Sequence, residues 1–228
     1  MLNSKDISSG SGKISPIIKP GNQVLKINKI TFDKAPYQIQ GQDPYNITLH
    51  VESKPIGGGF KGFLVDPNNE SGPRYEGQVG RVAMSAYPFI DKVLPSGVEL
   101  FRDDQVLKNV VFLADTLGVR EELNQITEPD VFSYMDAACK LFENTEYLNF
   151  CVGASEWLNK NTGYTNLNLW LPRLSRNGVP IERLDVENSN LIQFDRENKY
   201  HYSKLKEDKK NTSFEPKSED VSDDFSIF

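Results

Sequence analysis

Residues Tyr45 to Ser53 (YNITLHVES) alternate strictly between apolar and polar side chains, with Tyr45, Ile47, Leu49 and Val51 on one side. Period two marks a strand with one buried face, because successive side chains point to opposite sides of a sheet. The same pattern runs more loosely through Val24 to Phe32 and breaks at Ala35-Pro36. Phe60 to Val65 and Gln78 to Tyr87 read as two further strands. Gly57-Gly58-Gly59 and the run from Pro67 to Pro73 punctuate them as turn and loop. The beginning of the chain therefore commits to β-structure.

A helical stretch follows, with an expected extent of about 103–143. Asp103-Asp104 is placed to cap a helix carrying Val106, Val110, Leu113, Leu117 and Leu123. Thr127 reads as the N-cap of a second helix, with Pro129 in its first turn and Val131, Phe132, Met135, Ala138, Cys139 and Phe142 inward. The pattern then returns to β. Tyr147 to Leu158 and Tyr164 to Leu174 are paired by a hairpin turn at Asn159 to Gly163, which sets Trp157 nearly opposite Trp170 as a cross-strand pair. A short apolar piece, Leu191 to Phe194, is expected to close the sheet. This order suits a β-rich α+β fold, a closed or partly open β-barrel with a helical insertion, against which an α+β sandwich competes. The body spans 24–195, between a mobile basic arm at 1–23 and a basic linker at 196–214 that leads to an acidic tail at 215–228.

Charge is uneven along the chain. The formal net charge is −6, which excludes a uniformly basic nucleic-acid binder. The first 34 residues hold six lysines against two aspartates. From Glu99 to Glu146, eleven acids face four bases, a surface that nucleic acid would avoid. No run approaches the ~18 apolar residues of a membrane span, and no apolar leader core opens the chain. A soluble, cytoplasmic protein without membrane contact is expected, in the host cytoplasm if the protein is viral. Two cysteines, Cys139 and Cys151, and two histidines, His50 and His201, leave zinc sites and histidine-based nucleophilic catalysis short of parts. The cysteines read as small core residues. Asp66, Glu70 and Glu76 are close in sequence but lack metal-ligand spacing. The glycine run lacks the Gly-Lys-Ser/Thr ending of a phosphate loop. No enzyme activity, metal or cofactor is expected.

The region 54–89 interleaves aromatics and cations: Lys54, Phe60, Lys61 and Phe63 around the glycines, then Arg74, Tyr75 and Arg81, with Tyr87 and Phe89 following. Aromatic faces stack bases at ~1–3 kcal/mol per base, and cations track a phosphate backbone. Phe60 and Phe63 are three apart, so on a strand they point to opposite faces and one belongs to the core. Tyr164, near the hairpin tip, is a weaker stacking candidate.

The last 14 residues carry five acids against Lys217 and end Asp223-Asp224-Phe225-Ser226-Ile227-Phe228. Phe225, Ile227 and Phe228 suit a basic-rimmed apolar pocket that captures a terminal carboxylate. This ending resembles the C-terminal tips of bacterial and phage single-stranded DNA-binding proteins over Glu219 to Phe228, with Ile227 where the bacterial pattern has Pro. The resemblance implies an OB-fold body that coats single-stranded DNA in replication, recombination and repair. It also implies a tail that recruits a polymerase, helicase or primase. The acidic tail also mimics a short phosphate run, so it is expected to compete with DNA for the groove. Self-association is compatible with this reading. The alternative from another class is a protein–protein adaptor or virion assembly factor that binds no nucleic acid.

Overall fold

The computed structural model describes residues 18–54, 79–174 and 178–205. Its elements in chain order begin with strands β1 (Gly21–Lys34), β2 (Tyr45–Ser53) and β3 (Val79–Ala83), followed by a small hairpin of β4 (Lys92–Val93) and β5 (Glu99–Leu100). Helices α1 (Arg102–Leu117), α2 (Arg120–Asn124) and α3 (Val131–Leu141) come next. Strands β6 (Leu148–Leu158), β7 (Thr165–Trp170), β8 (Ile181–Arg183) and β9 (Tyr202–Ser203) complete the order.

Five strands close into a barrel in the order β1-β2-β3-β7-β6 and back to β1. Closure depends on the length of β1. Its first residues, Gly21 to Leu25, pair with Val152 to Leu148 of β6, and Leu25 to Lys34 pair with Ser53 to Tyr45 of β2. The β3–β7 seam is parallel and rests on Ala83 opposite Trp170, with the Leu171 N–H donated to Ala83 O at 2.9 Å. All other barrel seams are antiparallel. The Leu191 to Phe194 piece does not close the sheet: Leu191 makes an isolated bridge to Val179, and Phe194 donates its N–H to Asn22 Oδ1 at 2.8 Å. This segment straps the start of β1, because the seams it would fill are already taken.

The barrel interior is filled by Leu25, Ile27, Ile30, Ile47, Leu49, Val51, Val82, Phe150 and Val152, all buried. Each such side chain contributes about 1.5–3 kcal/mol on leaving water. Cys139 and Cys151 are free and buried as expected, their thiols pushed up by burial to about 12 and about 11. The helical block covers the barrel, with α3 against β1 and α1 against β2 and β8. α1 turns Val106, Val110, Leu113 and Ala114 inward, and α3 turns Met135, Ala138 and Cys139 inward.

The helix starts differ from expectation. Phe101 is the N-cap of α1, and the Arg102 N–H is accepted by Asp91 Oδ1 at 2.6 Å, so the capping oxygen comes from a preceding loop. Asp103 and Asp104 sit in the first turn, where the positive end of the helix favours them without a capping bond. Gly118 takes the left-handed conformation (φ 73°) and ends α1, which leaves Leu123 to α2. α3 is capped by Asp130, not Thr127: Asp130 Oδ1 accepts the N–H groups of Phe132 and Ser133 at 2.8 and 3.1 Å. A carboxylate just ahead of the first turn reaches two orphan amides, and Pro129 is left outside.

The stretch from Arg196 read as linker stays in the fold as far as Leu205. Tyr202 is buried beside β6, with its hydroxyl donated to Glu156 Oε1 at 2.6 Å, and the Leu205 N–H is accepted by Glu156 Oε2 at 3.0 Å. Among the described residues no helix is long and apolar enough to cross a membrane.

Gly153 marks a close approach of β6 to two neighbours at once. A Cβ there would stand 2.8 Å from both the His201 carbonyl oxygen and Trp170 Cζ3. Gly153→Ala is therefore expected to destabilise the fold by about 1–3 kcal/mol, measured as a lowered urea midpoint. An unchanged midpoint would contradict this packing.

Candidate functional site

The outer face of β1, β2 and β3 gathers polar side chains in cross-strand rows. Residues paired directly across antiparallel strands project to the same face. Lys26 lies opposite Glu52, and Thr31 lies opposite Thr48, which pairs with Ala83. Between these rows Lys29 is opposite His50, and His50 is opposite Arg81.

That central row depends on a β-bulge. Pairing steps from Ile27↔Val51 directly to Lys29↔His50, leaving Asn28 as the extra residue. An unbulged ladder would set Lys29 opposite Leu49 and turn it into the barrel. With the bulge, Ile27 and Ile30 both remain buried, and Lys29 points outward beside His50.

The two flanking cations are not neutralised by any described residue. Lys26 pairs with Glu52 at 3.2 Å, and the same carboxylate oxygen accepts Asn28 Nδ2 at 3.1 Å. Among the described residues, no carboxylate lies within ion-pair distance of Lys29 or Arg81. His50, half-buried, has Nε2 3.3 Å from Thr31 Oγ1. Burial first, then Lys29 and Arg81, hold its imidazole below the ordinary histidine value, opposed by Asp33. A shallow concavity of about 360 Å³ lies here, lined by Asn28, Lys29, His50, Val51, Val79, Gly80 and Arg81. The row offers cations and polar donors to an anion, while exposed Val79 supplies an apolar rim.

The structure places the expected site residues in different parts of the chain. Arg81 is in the central row. Lys54 follows β2, with its N–H donated to Val24 O at 3.2 Å, next to the Lys26–Glu52 row. Tyr87 lies past β3 and is 71% exposed, whereas Phe89 is buried with its backbone paired to Tyr45. Phe60, Lys61, Phe63, Arg74 and Tyr75 lie outside the described residues, as do Asp66, Glu70 and Glu76. The tail residues Asp223, Asp224, Phe225, Ile227 and Phe228 also lie outside them. Lys29 and His50 were missed in the sequence reading. His50 sits at an outward position of the Tyr45–Ser53 alternation, and the three-residue step from Ile27 to Ile30 is the trace of the bulge that brings Lys29 beside it.

Two connections between barrel strands carry exposed aromatics: Tyr37 between β1 and β2, and Trp157 and Tyr164 at the β6–β7 hairpin, Tyr164 being 74% exposed. The first connection is tied to Asp91 by Gln42, which donates Nε2 to Asp91 O at 3.0 Å and accepts Asp91 N–H at 2.8 Å. In the helical block, Arg120 and Lys140 are engaged by Asp115 and Asp136. Among the described residues no group of three His, Cys, Asp or Glu side chains gathers to hold a metal.

No protein-family model matches the chain, and neither a curated protein nor a solved structure matches it.

The expected Trp157–Trp170 pair does not form. Trp157 is opposite Asn166 and Trp170 is opposite Gly153, because the hairpin turn fixes Leu158↔Thr165 as the first pair. Trp157 is 41% exposed and Trp170 is 6% exposed. Trp157→Phe is expected to leave a blue-shifted emission that resists acrylamide quenching. Quenching as strong as in the unaltered protein would contradict this placement.

Proposed function

We propose that this chain is a non-enzymatic single-stranded DNA-binding protein whose strand track crosses the outer face of β1, β2 and β3. The observation carrying the reading is the row Lys29–His50–Arg81, with both flanking cations unneutralised by any described residue. The barrel supports it. Five strands close in the order β1-β2-β3-β7-β6, with the helices inserted between the third and fourth barrel strands. An OB-like barrel binds oligonucleotides on its second and third strands and on the loops joining strands one to two and four to five. Here those places hold His50 and Arg81, Tyr37, and Trp157 with Tyr164. Cations beside exposed aromatics suit a chain of phosphates with bases free to stack. Duplex DNA, whose bases are already stacked, gains nothing from the aromatics.

Charge separation answers the objection raised by a net charge of −6. Acid concentrated on the helical block repels DNA there, leaving the β1–β3 face as the approach. In replication and recombination the protein would coat exposed strands and recruit partner proteins through the tail that ends at Phe228, which lies outside the described residues.

Oligo-dT anisotropy across a salt series tests the reading. Binding is expected to weaken as salt rises and to exceed that of duplex of equal length. In Lys29→Ala with Arg81→Ala, affinity is expected to fall at least tenfold at about 50 mM salt, and the salt slope to shrink by about 0.7 per lost phosphate contact. Absence of binding at that salt, or an unchanged slope in the double variant, would overturn it and leave the adaptor reading standing.

A further inference from the structure

His50 occupies the centre of the row, between two cations of neighbouring strands. Among the described residues the charges facing it come from three strands. β1 contributes Lys29, directly opposite, and Asp33 further along. β3 contributes Arg81, directly opposite on the other side. On β2 itself the nearest outward carboxylate is Glu52, already engaged by Lys26 and Asn28. Burial first, then these two cations, act against a charged His50, and among the described residues Asp33 opposes them. With the face empty, a third positive charge between two others is unfavourable, which together with burial holds the imidazole below the ordinary histidine value.

A phosphodiester seated on the row reverses the balance. Its negative charge offsets Lys29 and Arg81 and favours a cationic ring, and imidazolium offers a donor on each nitrogen. One nitrogen already faces Thr31 Oγ1, so the other is available to a phosphate oxygen. We propose that this site takes up one proton from solvent at His50 as a single strand binds, so the strand is held more tightly as the pH falls from 8 to 6. The inference rests on the strand-binding reading above and adds His50 to the contacts as a residue that charges only when the site is filled. Linkage fixes the direction: a group with a higher proton affinity in the complex than in the free protein makes binding tighter at lower pH.

Oligo-dT is the appropriate probe, since neither thymine nor the phosphodiester titrates between pH 6 and 8. Affinity is expected to rise about three- to tenfold across that range. Calorimetry in buffers of different ionisation enthalpy should show net proton uptake at about pH 6.5. The variant His50→Gln, which retains a side-chain partner for Thr31, should show neither effect. A measurement without substitution accompanies it: in the NMR titration of the two histidines, the midpoint of His50 should move up when oligo-dT is bound, with His201 as internal reference. Its Nδ1 accepts the Asp195 amide at 3.1 Å, away from the row. Oligo-dT binding with no proton uptake, or with an unmoved His50 midpoint, would overturn the inference and leave the strand-binding reading intact. Proton uptake undiminished in His50→Gln would overturn it too. Absence of oligo-dT binding at every pH would remove the underlying reading.

Discussion

The barrel exists because one strand serves two neighbours. β1 is 14 residues long, and its pairing with β6 over Gly21 to Leu25 and with β2 over Leu25 to Lys34 closes the sheet. Closure removes the unpaired edges that a short antiparallel sheet would otherwise expose. It also demands strong local twist, and the bulge at Asn28 lies where β1 runs along β2 just past the changeover. The same bulge inverts the facing of every residue after it. Ile30 stays in the core and Lys29 reaches the surface beside His50. Closure and the basic row therefore share one backbone feature.

Electrostatic segregation follows from the topology. The helices carry most of the acid in the middle of the chain and occupy one side of the barrel, against β1, β2 and β8. Their own bases are largely engaged by neighbouring acids, which leaves that surface negative. On the β1–β3 face Glu52 is already shared by Lys26 and Asn28, and Asp33 stands further along β1. Two oppositely signed surfaces on a small domain orient an approaching polyanion more effectively than net charge suggests.

The strands of the body were legible where alternation was strict. Tyr45–Ser53 is β2 residue for residue, and its inward set is the buried one. Helix faces were legible for the same reason: Val106, Val110 and Leu113, then Met135 and Ala138, are spaced as turns require and are buried. Helix starts were not, because Asp91 caps α1 across a loop and no local pattern announces such a contact. Register was also hidden. Trp157 and Trp170 are both on the hairpin, but the turn geometry rather than residue type decides which residues meet. β8 and β9 are too short for periodicity to reveal. Of the candidate site, Arg81 was legible from its neighbourhood of aromatics and cations, while Lys29 and His50 needed three strands in register.

Amide chemical-shift mapping of isotope-labelled full-length protein during an oligo-dT titration tests the central claim most directly. The account predicts that the largest shifts fall on Lys29 to Thr31 of β1, Thr48 to His50 of β2 and Gly80 to Val82 of β3, while α1 and α3 stay unmoved. Shifts confined to the helical block, or a β1–β3 face that does not respond while the oligonucleotide is bound, would contradict it.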